Sequence, residues 1–290
     1  MKTISRFAPV IFVLLWSTGF VGAKYILPYA EPFVFLTIRY ALATLFLIGI
    51  AALLREPMRL TKAQVIQSIK VGLFLQVVYI GGVFYAIHLG VSAGVTSVVV
   101  STQPILVSIL AVRFFNEPLG GRKVLGLLLG FSGVLLLLLP KIFSGDFSLH
   151  FARFGIISAF VALIGTTTGY LLQKKGGTDV PFLPGTAVQF AVATTMFSIL
   201  SFAYEDWTVE VNNQLLLALA WIVIALSIGS IFLLFYLLKH DSASSVSSLY
   251  YLVPPLTAIQ AYLLFGEVIT IVGLIGMGLA ALGTLLVTRK

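Results

Sequence analysis

The sequence of 290 residues contains no cysteine and few charged residues. Without cysteine, disulfide bonds, thiolate metal sites and cysteine nucleophiles are excluded. Charged residues make up 10% of the chain and hydrophobic residues 59%, with a mean hydropathy of +1.09. A soluble globular protein of this size needs far more polar surface than this composition supplies. We therefore predict an integral membrane protein.

Runs of about 20 apolar residues recur along the whole chain, which is the length an α-helix needs to cross a bilayer. The predicted fold class is an all-α integral membrane protein. We predict ten transmembrane helices, at residues 7–27, 32–54, 66–88, 93–115, 120–139, 152–174, 183–203, 213–237, 243–265 and 269–288. The first follows Lys2 and Arg6 as the core of a signal peptide does. Because it takes part in the repeat described below, we expect it to be retained.

Positive charges are distributed unevenly between the two ends of these spans. Most Lys and Arg residues lie on the side of the N-terminus, whereas Lys24, Lys141 and Arg153 lie on the other. Basic residues mark the cytoplasmic side of a membrane protein. The pattern predicts a multi-pass protein of a bacterial-type cytoplasmic (inner) membrane with both termini in the cytoplasm. It also accounts for the net charge of +8 without a nucleic acid partner.

The sequence shows no catalytic or metal-binding cluster. Its aspartates fall in predicted loops and its histidines at span ends or in a loop, and no carboxylate pair or histidine cluster has metal-ligand spacing. The phosphate-binding pattern G-x-x-x-x-G-K-S/T is absent as well. GTTTGY at 165–170 is similar to a potassium-channel filter, but it lies inside a helix-length run. We predict no enzyme activity, no cofactor and no metal.

An internal repeat relates two stretches that lie 150 positions apart. SAGVTSVVVSTQPILVSILAVRFFNE at 92–117 aligns with SASSVSSLYYLVPPLTAIQAYLLFGE at 242–267, with Pro104 opposite Pro254 and Glu117 opposite Glu267. A unit of five spans is odd, so its tandem copy enters the membrane from the opposite side. The sequence predicts two five-helix repeats of inverted topology, residues 1–140 and 151–290, around a central cavity, as in secondary transporters.

Polar residues in the fourth and ninth spans recur at helical spacing. Ser97, Ser101 and Pro104 share one helix face, and Ser247, Tyr251 and Pro254 share the equivalent face in the other repeat. A proline removes a backbone donor and bends a helix. We interpret these faces as kinked walls of a wet cavity. The alternative is that the hydroxyls bond to their own helices and the prolines only assist packing.

Four more side chains lie at membrane depth, where a polar or aromatic group needs a partner. Trp16 in the first span, Gln76 and Tyr79 in the third and Tyr170 in the sixth are predicted to line the cavity. With Ser97, Ser101, Ser247 and Tyr251 they form the predicted substrate site.

Arg39 is the one charge predicted well inside a span, and an unpaired charge there costs about 2.5–3.5 kcal/mol on insertion scales. We predict Glu267 as its partner and a weaker contact between Glu117 and Gln189 as the symmetric counterpart. The pair Arg39–Glu267, with the kinks at Pro104 and Pro254, would act in gating. Arg39 as a clamp for a substrate carboxylate, and a static tie between helices, remain as alternatives.

Glycines recur in the fifth span, at Gly126, Gly130 and Gly133, and in the tenth, at Gly273, Gly276 and Gly283. Small residues let helix backbones approach closely within a bilayer. These faces are predicted to pack helices together, as a scaffold within the chain or as a homodimer face, and a solute-lining role is the alternative.

A resemblance to a known family is carried by the repeat, by WSTGFVGAKY in the first span, by FLTIRY at 35–40 and by the paired runs around Pro104–Glu117 and Pro254–Glu267. The chain resembles the EamA-type drug/metabolite transporter superfamily. The resemblance covers essentially the whole chain, and aromatic amino acid exporters of the YddG type are the nearest model. It implies a bundle with a central cavity that exports small metabolites.

We therefore expect a secondary transporter, an exporter of small neutral or zwitterionic metabolites such as amino acids, working by alternating access. Its expected partners are a small-molecule metabolite and the lipid bilayer. No midplane carboxylate offers an obvious proton carrier, so uniport and exchange stay as open as proton antiport. A membrane scaffold without transport activity and an intramembrane enzyme are the alternatives.

Overall fold

Helices account for almost every apolar run of the chain in the computed structural model, which describes residues 2–91, 93–143, 149–266 and 269–289. Among these residues the first half of the chain contains seven α-helices: α1 (Lys2–Ile26), α2 (Pro32–Leu54), α3 (Lys62–Val71), α4 (Gly82–His88), α5 (Ala93–Val100), α6 (Gln103–Phe115) and α7 (Gly121–Phe143). The second contains α8 (Leu149–Gly176), α9 (Phe182–Tyr204), α10 (Asn213–Trp221), α11 (Ile231–His240), α12 (Ala243–Ser248), α13 (Val253–Phe265) and α14 (Ile271–Thr288).

Eight helical stretches of the described residues are long and apolar enough to cross a membrane. They are Phe7–Ile26, Pro32–Leu54, Lys62–His88, Val95–Phe115, Phe154–Asp179, Phe182–Tyr204, Asn213–His240 and Ile271–Thr288. The predicted spans at 120–139 and 243–265 fall on α7 and on α12 with α13, which are helical. As membrane crossings these two stay predictions.

Irregular helical segments occur in both halves of the chain, about 150 residues apart. A π-helical segment, Gly72–Gly81, joins α3 to α4, and a second, Ile222–Ser230, joins α10 to α11. The helix is also interrupted between α5 and α6 and, by the 3-10 segment Leu249–Leu252, between α12 and α13. The two proline-containing stretches are thus each built from two helices.

Pro104 and Pro254 lie in the first turn of α6 and α13. Proline suits this position because the N–H groups of the first turn have no partner within the helix. Each proline therefore starts a new helix, and the interruption of the helix falls in the residues just before it.

The glycines of α7 and α14 bring the two backbones into direct contact. A methyl group added to Gly133 would lie 2.5 Å from the carbonyl oxygen of Gly276, and one added to Gly126 would lie 2.8 Å from that of Gly283. Their surfaces are thus used for packing within the chain, as one of the two predicted alternatives requires.

The GTTTGY segment at 165–170 is helical, as part of α8. Methyl groups on Gly165 and Gly169 would lie 2.8 Å from the backbone nitrogen of Tyr79 and 2.7 Å from that of Leu75. These glycines let α8 approach the first π-helical segment, which explains their spacing without an ion filter.

Candidate functional site

A cavity of about 40 Å³ lies between α1, α2, the first π-helical segment and α4 on one side and the second π-helical segment and α11 on the other. It therefore has walls from both repeats. Its lining includes the predicted site residues Trp16, Gln76 and Tyr79 together with Arg39, and also Phe84 and Ser230. This volume holds a few water molecules, so a metabolite needs a wider state of the protein.

Trp16 and Tyr79 form one aromatic wall of the cavity. Their rings are stacked with centroids 6.3 Å apart, and Trp16 Nε1 donates a hydrogen bond to the Tyr79 hydroxyl over 3.3 Å. The hydrogen bond gives the buried indole N–H a partner and fixes the two rings relative to each other. The two residues come from α1 and the first π-helical segment, 63 positions apart in the chain.

Gln76 lies one turn before Tyr79 on the same segment and is 1% exposed. Its Oε1 accepts a hydrogen bond from the Tyr40 hydroxyl over 3.0 Å. Its Nε2 is buried and has no hydrogen-bond partner among the described residues. A buried amide nitrogen without a partner is a donor held ready for water or for a ligand.

Arg39 of α2 is 6% exposed and lines the same cavity. Its Nε donates to Ser227 Oγ over 2.9 Å, and its guanidinium carbon lies 4.9 Å from the centre of the Tyr40 ring. No carboxylate of the described residues pairs with it. The predicted partner Glu267 lies outside the described residues, so that pairing stays a prediction.

Tyr250 is the aromatic residue that the sequence analysis did not single out. Its ring lies edge-on to Trp16, Phe12 and Tyr170 with centroids 5.5, 5.8 and 6.4 Å away. Its hydroxyl is buried with no partner among the described residues. Tyr250 thus links the aromatic wall of the cavity to the second repeat.

The other predicted site residues are buried but do not belong to the cavity lining. Ser101 Oγ donates to the carbonyl oxygen of Ser97 over 2.6 Å, and Ser247 Oγ donates to that of Ser244 over 3.0 Å. Ser97 itself is 2% exposed. Bonding of hydroxyls back to their own helices is the alternative that the sequence analysis left open.

Tyr170 and Tyr251 are likewise separate from the cavity. The Tyr170 hydroxyl donates to the carbonyl oxygen of Ala243 over 3.0 Å. Tyr251 packs with Val98, Leu127, Val134 and Ala280 in a second hydrophobic cluster next to Gly130. In this conformation neither residue contributes to the cavity wall.

Glu117 caps the N-terminus of α12 instead of contacting Gln189. Its carboxylate accepts hydrogen bonds from the Ala243 N–H over 2.7 Å, the Ser244 N–H over 3.2 Å and the Ser244 hydroxyl over 2.5 Å. Helix N-termini attract carboxylates because their N–H groups are unpaired and carry partial positive charge. The contact joins the two repeats at one end of the bundle.

Two carboxylates join the loops at the other end, in an arrangement we call the Glu31–Glu205 clasp. The Glu205 carboxylate accepts from the N–H groups of Phe33 and Val34 at the start of α2, over 2.9 and 2.7 Å. The Glu31 carboxylate accepts from those of Asp206 and Thr208, over 3.3 and 3.0 Å. Each loop thus binds the backbone of the other.

The pKa values of the two clasp carboxylates shift in opposite directions. Burial raises the pKa of Glu205, although the N–H groups of Phe33 and Val34 act against it. For Glu31 burial also acts to raise the pKa, but the hydrogen bonds from Thr208 and Asp206 outweigh it and the pKa is lowered. An acid whose pKa rises on folding holds its proton more tightly in the folded state.

The stability of the clasp should therefore depend on pH through Glu205. From its ordinary value of 4.5 up to its raised pKa, the folded state loses stability as the pH rises and gains it as the pH falls. We expect the melting temperature of the purified protein to decline with pH in this window, and Glu205→Gln to remove the decline. Glu210→Gln, an exposed acid beside the clasp, serves as control and should keep it. An identical pH profile for Glu205→Gln would contradict this assignment.

Comparison with known proteins identifies the family. A family model described as the EamA-like transporter family matches residues 6–139 and again residues 153–289. The chain belongs to the EamA-like transporter family. The two matches fall within the two predicted repeats.

Relatives from the family align over nearly their full length. An uncharacterized transporter of Bacillus subtilis, YvbV, is 25% identical over 100% of this chain and 93% of its own. A probable amino-acid metabolite efflux pump of Salmonella typhimurium is 25% identical over 98% of this chain and 94% of its own. One solved structure superposes with a TM-score of 0.80 at 19% identity, covering 97% of this chain and 95% of that one, which shows the shared fold alone.

Proposed function

We propose that this EamA-family membrane transporter exports small neutral or zwitterionic metabolites, amino acids among them, by alternating access. The proposal rests mainly on the cavity, which has walls from both matched halves and combines aromatic side chains with the amide nitrogen of Gln76, which has no partner among the described residues. Ligand pockets of this kind are mostly apolar, with a few polar groups that fix orientation. The name of the Salmonella relative supports amino acid metabolites and outward transport.

The architecture we propose for this function has ten crossings in two inverted five-helix repeats, residues 1–140 and 151–290, with both termini in the cytoplasm of an inner membrane. The recurrence of π-helical segments and helix breaks about 150 residues apart supports a duplicated unit. The uneven distribution of Lys and Arg supports the orientation.

Alternating access is supported by hydrogen-bonded contacts at both ends of the bundle. Glu117 holds α12 at one end, and the Glu31–Glu205 clasp joins the loops at the other. Release of one set at a time would open the cavity to one side. The remaining predicted site residues would contact the substrate only in a state in which their helices turn toward a wider cavity. That contact stays a prediction for Ser97, Ser101, Tyr170, Ser247 and Tyr251.

Counterflow in liposomes tests the function without knowledge of the coupling ion. Purified protein would be reconstituted with one unlabelled amino acid inside, and uptake of the same labelled amino acid measured over a panel. We expect saturable exchange for at least one amino acid and strong loss in Trp16→Ala, because the aromatic wall is removed. Trp221→Ala, which removes a half-exposed tryptophan that does not line the cavity, serves as control. Absence of exchange across the panel in folded protein would reject the proposal and favour a scaffold.

A further inference from the structure

Arg39 gives the cavity a positive charge, and no carboxylate among the described residues lines the cavity. Among the described residues that line it, Arg39 is the only charged one. The Tyr40 ring centre lies 4.9 Å from its guanidinium carbon, and Tyr79 lines the same cavity. A buried guanidinium is retained in a protein when something of opposite charge or strong acceptor character compensates it.

The terminal edge of the Arg39 guanidinium fits one kind of compensating group. A guanidinium has five N–H donors, and Nε of Arg39 is occupied by Ser227. The two terminal nitrogens keep four N–H bonds, which match the two oxygens of a carboxylate in a bidentate pair. Gln76 adds a buried amide nitrogen without a partner on the wall of the same cavity. The Arg39 guanidinium and the Gln76 amide nitrogen are both hydrogen-bond donors, so a ligand that binds them must supply acceptor atoms.

The same lining has little to bind an ammonium group. The side-chain oxygen of Gln76 already accepts from Tyr40, and the Ser230 hydroxyl is engaged with the carbonyl oxygen of Leu226. The remaining surface includes the faces of Trp16, Tyr79 and Phe84, which suit an apolar or aromatic body. An ammonium group here would also lie near the guanidinium, which repels it.

We propose that Arg39 anchors the carboxylate of the transported solute, so that the cavity selects small monocarboxylates with an apolar body and treats an α-amino group as dispensable. This inference rests on the proposed transport function and names the chemical group that its cavity recognises. Arg39 acts by contact with the substrate, and Ser227 is a positioning residue that fixes the direction of the guanidinium.

Four ligands that share a phenyl ring and differ in their polar groups test the inference on the unmodified protein: phenylalanine, 3-phenylpropionate, phenylalaninamide and phenethylamine. Binding would be measured by calorimetry on purified protein and exchange by counterflow. We expect both acids to bind, and the amide and the amine to bind about 30-fold more weakly or worse, since an unpaired buried charge is left behind. Binding of the amide or the amine within a few-fold of the acids, or binding of neither acid, would overturn the inference.

Variants separate recognition from folding. Arg39→Gln should lose the preference for acids over the amide, and Arg39→Lys should keep part of it as a point charge. Ser227→Ala should weaken both acids equally while keeping the preference. Glu267→Gln should leave the preference unchanged if Arg39 serves the ligand, whereas loss of the preference in this variant would favour the predicted helix tie. Retained preference in folded Arg39→Gln protein would also overturn the inference.

The two proposals fail in different ways. If the acids bind with the expected preference but no solute exchanges across the membrane, the carboxylate site stands and the transport function falls. If phenethylamine or the amide is exchanged as fast as the acids, transport stands and the carboxylate anchor falls. Binding and counterflow measured together therefore show which of the two proposals fails.

Discussion

Gly133→Val is expected to prevent α7 from packing on α14 and to leave little folded protein. A methyl group at this position would lie 2.5 Å from both the backbone nitrogen of Ala280 and the carbonyl oxygen of Gly276. Both are backbone atoms and cannot move aside as a side chain can, so the helices must separate along their contact. Overpacking costs about 1–3 kcal/mol where side chains can adjust, and more is expected here. Size-exclusion chromatography and thermal unfolding of detergent-purified protein would measure the loss.

Gly278→Val is the matched control for this effect. Gly278 belongs to α14, the helix that packs against α7, but a methyl group there meets no atom within 4 Å. The two substitutions add the same side chain to helical glycine, so their difference isolates the contact between helices. Equal melting temperatures for Gly133→Val and Gly278→Val would contradict close packing through Gly133.

The membrane class and the positions of most helices follow from the sequence because apolar runs of sufficient length leave a helix little alternative in a bilayer. The residues that meet in the cavity were also predictable in part. Each of these residues carries a polar or charged group within a predicted span: Trp16, Arg39, Gln76 and Tyr79. Such groups need partners, and the structure brings them together.

The serine faces illustrate why spacing alone does not locate a site. Ser101 and Ser247 have the predicted helical spacing, but each hydroxyl finds a carbonyl oxygen of its own helix within hydrogen-bond distance. That local partner exists wherever a serine lies in a helix. Sequence spacing therefore cannot distinguish a serine that faces a solute from one that is already satisfied.

Tyr250 and Tyr251 show how an irregular helical segment changes which residues lie on the same face of a helix. The sequence pattern predicts a continuous α-helix and a position for Tyr251 in the cavity wall. The 3-10 segment Leu249–Leu252 changes the rotation per residue, so Tyr250 reaches Trp16 while Tyr251 packs beside Gly130. Gln76 and Tyr79 lie in the π-helical segment Gly72–Gly81, whose wider turn also differs from that of an α-helix.

A disulfide between Ala30→Cys and Val209→Cys is expected to abolish transport by the otherwise cysteine-free protein. These residues form an antiparallel bridge between the loops that the Glu31–Glu205 clasp joins. The Glu210 N–H donates to the carbonyl oxygen of Tyr29 over 2.8 Å, which makes Ala30 and Val209 a non-hydrogen-bonded pair. The α-carbons of such pairs are about 4.5 Å apart, within the range that a disulfide spans.

Counterflow before and after oxidation would measure the effect of this cross-link. If the loops must separate for the cavity to open on this side, oxidation should stop exchange and reduction should restore it in the same sample. The single variants Ala30→Cys and Val209→Cys carry the same substitutions without the cross-link and should exchange under both conditions. Full exchange by protein with the disulfide formed would mean that the loops stay together throughout the cycle. The clasp would then be a fixed tie, and the moving contacts on this side would have to lie deeper, between the helices around Arg39.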